Sequence, residues 1–223
     1  MTASLRQRVA AELLGSAMLA GTVIGSGVLA VRMAGGNDAV ALLGNTAATA
    51  AMLFVLITAL GPISGAHFNP AVTLVMTLRR DIAITSAVLY VIAQTVGCIA
   101  GAWLAHAMFE LPVLQVSAHA RSGPAQVLSE GVATFSLVFA ILLVSRQRPQ
   151  AVPAAVALVI TAGYWWTAST SFANPAITVA RALTDTFAGV RPEDVPGFFM
   201  GQFAGALLAL AASAILSPKE AKA

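Results

Sequence analysis

Charge is scarce in this chain, with 12 basic and 9 acidic side chains among 223 residues, against 58% hydrophobic residues. A soluble fold of that composition would lack the polar surface to cover itself, so the sequence implies lipid as its solvent. Cysteine is scarcer still: Cys98 stands alone in an apolar stretch, forms no internal disulfide and reads as a small buried hydrophobe. With three histidines and one cysteine, no cluster stands at metal-ligand spacing, and neither a metal nor a cofactor is expected. No nucleophile with a base, no ATP-binding motif and no charged site for a coupling ion can be picked out, which argues against an enzyme and against a driven pump. The net charge of +3 comes from basic residues beside apolar runs, so nucleic acid is not an expected partner.

What the chain has in abundance is long apolar runs, at residues 9–31, 38–60, 82–109, 125–144, 151–167 and 195–216. Each is long enough to be read as a membrane span, and the first is too long for the core of a cleaved signal peptide. The expected fold is therefore an all-α membrane protein with six transmembrane helices, forming a single domain over residues 1–223. Placing both termini in the cytoplasm puts Arg6, Arg8, Arg79, Arg80, Arg146, Arg148, Lys219 and Lys222 inside, against Arg32, Arg121, Arg181 and Arg191 outside. That is the orientation basic residues favour, and it suits a multi-pass protein of the plasma membrane.

Two shorter apolar segments, residues 69–78 and 174–183, fall between the second and third runs and between the fifth and sixth. About ten helical residues reach about 15 Å, half of a hydrocarbon core of about 30 Å, so each segment enters without crossing. Non-helical backbone at that depth is tolerated only where protein buries it or where it lines a water-filled cavity, so a re-entrant pair implies a pore.

The segments belong to a repeat. His67-Phe68-Asn69-Pro70-Ala71-Val72-Thr73-Leu74 matches Phe172-Ala173-Asn174-Pro175-Ala176-Ile177-Thr178-Val179, Glu12 with Ser16 matches Glu130 with Thr134, and Gln94 with Gly97 matches Gln202 with Gly205. Each half, about residues 8–108 and 125–217, holds three spans, an odd number, so the second copy is inverted and the two Asn-Pro-Ala turns meet back to back at the midplane. Asn before Pro is an N-cap before a first helical residue, which starts two half-helices at the pore centre.

The stretch Ser64-Gly65-Ala66-His67-Phe68-Asn69-Pro70-Ala71-Val72-Thr73 resembles the first signature of the aquaporin family, or major intrinsic proteins, and the resemblance extends over almost the whole chain. It implies a homotetramer with one pore per subunit, passing small neutral solutes down their gradient. Asn69 and Asn174 would donate to the solute, and Gly65, Ala66, His67, Ser171, Phe172 and Ala173 would offer backbone carbonyls as a line of acceptors. Glu12 and Glu130 are intramembrane carboxylates; by the same resemblance they accept hydrogen bonds from the re-entrant backbone rather than carry protons.

The sequence departs from the family at the outer constriction. Where most members carry Arg directly after the second Asn-Pro-Ala, this chain has Ile177, and the family's spacing puts the other filter positions on Thr49, Ala162 and Ser171. None is aromatic or charged, which resembles bacterial aquaporins associated with arsenic resistance. The permeants expected are glycerol-like polyols, arsenous acid or methylated arsenicals, and water; a pore selective for water or ammonia is the alternative, and a non-conducting structural membrane protein a remote one. Arg181, one turn beyond Ile177, is read first as a cap of its half-helix or a partner of Asp185 and second as a residue of the outer mouth. His106 and His119 are expected in a solvated or interfacial setting, and Trp103, Trp165 and Trp166 in packing.

Overall fold

A computed structural model describes residues 3–216; Lys219 and Lys222, counted above on the inner side, lie outside that range. Among the described residues eight α-helices follow one another: α1 (Leu5–Met33), α2 (Asp38–Ser64), α3 (Pro70–Leu78), α4 (Ile84–Met108), α5 (Pro124–Gln147), α6 (Val152–Trp166), α7 (Pro175–Ala182) and α8 (Val195–Ile215). No strand occurs among the described residues. We call the end of the bundle that carries Leu5 proximal and the end that carries Met33 distal.

Local chemistry sets the boundaries. Ser4 and Gln7 form a reciprocal capping box ahead of α1, and Asn37 accepts from the backbone N–H groups of Ala39 and Val40 to start α2. Gly65 ends α2 in the left-handed region at φ 88°, a conformation that glycine adopts without a Cβ penalty. Asn69 and Asn174 cap α3 and α7 with proline at the first helical position, as the sequence predicts.

Helices α1, α2, α4 and α5, and α8 with the turn before it, are each long and apolar enough to cross a membrane. The expected span at 151–167 is shorter than its run: α6 has 15 residues, about 22 Å of rise. A 3₁₀ turn over Pro149–Ala151 precedes it, and Thr167 is already extended because the chain must there turn back into the bundle. The two halves pack alike. α1 lies closest on α4 and α5 on α8. A Cβ at Gly101 would overlap the Ala17 carbonyl, and one at Gly205 the Gly131 carbonyl, so these helix pairs touch backbone to backbone.

Candidate functional site

The site is built from two loops that carry the same hydrogen-bond pattern. In the first, Glu12 is fully buried and its carboxylate accepts from Ser64 Oγ (2.6 Å), the backbone N–H groups of His67 (3.0 Å) and Phe68 (2.7 Å), and Gln94 Nε2 (2.8 Å). In the second, Glu130 accepts from Ser169 Oγ (2.6 Å), the N–H groups of Phe172 (2.9 Å) and Ala173 (2.8 Å), and Gln202 Nε2 (2.6 Å). Both glutamines reach onward to a threonine of the half-helix, Thr73 at 3.0 Å and Thr178 at 2.9 Å. Backbone donors thus face the carboxylates on the far side of each loop.

That clamp offsets a conformational cost. Ala66, Phe68, Thr170, Ser171 and Ala173 all sit at φ between 48° and 61°, where an L-residue with a side chain is disfavoured by about 1–2 kcal/mol. Holding the N–H groups on Glu12 and Glu130 leaves the carbonyls of Gly65, Ala66, His67, Ser171 and Phe172 without a hydrogen bond from any described residue. All five residues line one cavity of about 360 Å³.

The half-helices meet at the centre of that cavity. Asn69 Nδ2 donates to the Ala173 carbonyl at 2.7 Å, and Asn174 Nδ2 donates to the Phe68 carbonyl at 2.8 Å, so each cap is tied to the opposite loop. Their Oδ1 atoms accept from the helix N–H groups, of Ala71 in α3 and of Ala176 and Ile177 in α7. An amide carries two N–H donors, so each Asn keeps one for a solute in the cavity that both line. The Ala173 carbonyl, expected as a free acceptor, is instead engaged by Asn69, because the two loops touch where they cross.

At the distal constriction the structure brings Thr49, Ser171 and Ile177 to the cavity wall but not Ala162. Ala162 is exposed on the outer side of α6. The face of α6 turned to the cavity repeats every four residues, Val152, Val156, Ile160 and Tyr164, so that Tyr164 rather than Ala162 lines it at this end of the helix. Its hydroxyl lies 3.4 Å from Thr49 Oγ1. The distal part of the cavity wall thus carries an aromatic side chain, with hydroxyls from Thr49, Tyr164 and Ser171 beside the apolar Ile177.

Arg181 also differs from its first reading. Asp185 accepts from the backbone N–H of Ala118, at 2.9 Å, and makes no ion pair with Arg181. Arg181 is buried, lines the cavity, lies 3.3 Å from the centre of the Phe172 ring and donates from Nε to the Ala188 carbonyl. Arg121, which the sequence offered only as an orienting charge, stands 5.4 Å from the centre of the same ring. Arg121 donates to the carbonyls of Gly189, Ser169 and Phe187, knitting the distal loops together, and burial pushes its pKa below the ordinary value. His106, expected near solvent, is fully buried between the Val113 carbonyl (2.8 Å) and Thr184 Oγ1 (2.7 Å), a second tie across the same loops. The exposed Trp103, Trp165 and Trp166 stay off the cavity. At the proximal mouth the wall includes Met76 and the ion pair Arg79–Asp81, at 2.7 Å.

Among known proteins, a family model described as Major intrinsic protein matches residues 1–153. Aquaglyceroporin AqpS of Rhizobium meliloti (strain 1021) is 54% identical over 207 residues, 93% of this chain and 88% of the relative. The X-ray structure of the aquaglyceroporin from Plasmodium falciparum shares the fold, with a TM-score of 0.71 over 95% of each chain at 21% identity.

Proposed function

The chain belongs to the major intrinsic protein family and is an integral membrane channel for small neutral solutes, and from that premise we propose that its permeants are glycerol-like polyols, uncharged metalloid acids such as arsenous acid, and water. The observation that carries the reading is the pair Asn69 and Asn174 at mid-cavity, each with one amide N–H left over. A hydroxylated solute finds donors there and a line of carbonyl acceptors on either side, so it exchanges hydrogen bonds stepwise instead of losing them. An ion would lose hydration worth several kcal/mol, and a cation would also face two helix N-termini of about half a positive charge each.

Two features favour polyols and metalloid acids over water alone. The constriction pairs three hydroxyls with Ile177 and Phe172, which suits a solute with hydroxyls on one side and carbon on the other. The relative that is 54% identical is named an aquaglyceroporin. We further propose that the proximal end is cytoplasmic in the plasma membrane and that the subunits assemble as homotetramers, each pore complete within one chain.

Stopped-flow light scattering on proteoliposomes tests the reading. After shrinkage in sucrose, re-swelling in glycerol should run far faster than in protein-free vesicles, with arsenous acid entering the same preparation. Rapid water flow with both solutes held out would overturn it in favour of a water-selective pore.

A further inference from the structure

We propose that Arg181 is the charge-selecting residue of this channel, a guanidinium with no ion-pair partner among the described residues that turns cations away at the distal mouth while letting neutral solutes of the same shape pass. The inference rests on the channel reading above and adds a residue to it.

Four observations carry it. Position 181 is one helical turn beyond Ile177 on α7, so the two share the face that lines the cavity. The only side-chain hydrogen bond Arg181 makes with a described residue runs from Nε to the Ala188 carbonyl, which leaves both terminal nitrogens for the cavity. No carboxylate among the described residues forms an ion pair with it: Asp185 is turned to Ala118, Asp194 accepts from Arg191 and from the Arg121 backbone, and Glu130, close enough to attract it, gives its oxygens to four other donors behind the loop. The Phe172 ring against the guanidinium, at 3.3 Å, and the Ala188 carbonyl on Nε fix the charge in place.

A guanidinium is protonated at neutral pH, so the charge is present under the conditions of the test. A unit charge a few ångströms from the solute path, in a wall of intermediate dielectric, is ample to suppress cation entry by an order of magnitude or more. The symmetry-related position in the proximal half is Met76, which also lines the cavity. The chain itself therefore offers the neutral control, an unbranched side chain accommodated at the equivalent place in the other half-helix.

Urea and guanidinium are planar and nearly the same size and differ in charge, which makes them the probes. In proteoliposomes of the full chain, urea should enter through the wild type and guanidinium should stay at the rate of protein-free vesicles. Arg181→Met and Arg181→Gln should raise guanidinium entry about tenfold or more while changing urea and glycerol entry less than about threefold; Arg181→Lys should keep guanidinium out. Gln is included because it can still donate to the Ala188 carbonyl if Met disturbs the loop. Guanidinium still excluded by correctly assembled Met and Gln variants would overturn the proposal and leave exclusion to the helix N-termini. A Lys variant as leaky as Met would overturn it as well, by showing that packing on Phe172 rather than charge is at work. Failure of the wild type to pass urea and glycerol would instead strike the permeant reading.

Discussion

The two half-helices are built alike from behind and differ where they face the solute. Behind the loops, Glu12 with Ser64, Gln94 and Thr73 is repeated by Glu130 with Ser169, Gln202 and Thr178, donor for donor. In front, Val72 becomes Ile177, Met76 becomes Arg181 and His67 becomes Phe172. Even the ring behind each loop changes: His67 meets Tyr90 edge-on at 5.4 Å, whereas Phe172 meets Phe198 at 4.8 Å. What holds the backbone open is shared by both ends, and what distinguishes one solute from another is concentrated at the distal end.

The largest effects should come from breaking the shared part. Glu12→Leu strands three buried donors and a part-buried one, and Glu130→Leu four buried donors, at about 1–3 kcal/mol per buried donor, which approaches the whole stability of a domain. Both variants should fail to yield a monodisperse protein in detergent on size-exclusion chromatography; a well-behaved Glu12→Leu beside a failed Glu130→Leu would break the equivalence. An intermediate effect sharpens the comparison. Asn174 caps two N–H groups and Asn69 only one, so Asn174→Ala should lower the detergent melting temperature more than Asn69→Ala, each cap being worth about 1 kcal/mol. The reverse order would show that the ties to Phe68 and Ala173 outweigh capping. The smallest effect on transport is at the filter: Tyr164→Ala, reconstituted, should raise entry of a four-carbon polyol a few-fold, read by stopped-flow re-swelling. No change there would remove Tyr164 from the constriction.

Much of this was legible in the sequence because lipid and proline leave few choices. Backbone in hydrocarbon must satisfy its own hydrogen bonds, so long apolar runs become helices, and Asn-Pro-Ala can start a helix but not continue one. The filter was legible only in part. Counting back from Asn174 led to Ala162, because a fixed spacing assumes a connection of fixed length; the four-residue rhythm of Val152, Val156 and Ile160 points to Tyr164 instead. The partner of Arg181 was hidden for a different reason. Asp185 is close in sequence, but the loop carrying Gln115 and Ala118 folds over the distal mouth and takes it, a contact between residues about 70 apart that no local pattern reveals. The buried His106 and half-buried Arg121 serve that same loop and carry no sequence signal for it.

The most direct test of the account is to ask which residues the solute passes. The native Cys98 is buried and inert, so a cysteine placed elsewhere reports alone. In proteoliposomes, a membrane-impermeant methanethiosulfonate reagent applied from the distal side should abolish glycerol entry through Ile177→Cys and leave Ala162→Cys untouched. Block at Ala162→Cys with free flow through modified Ile177→Cys would contradict the pore described here.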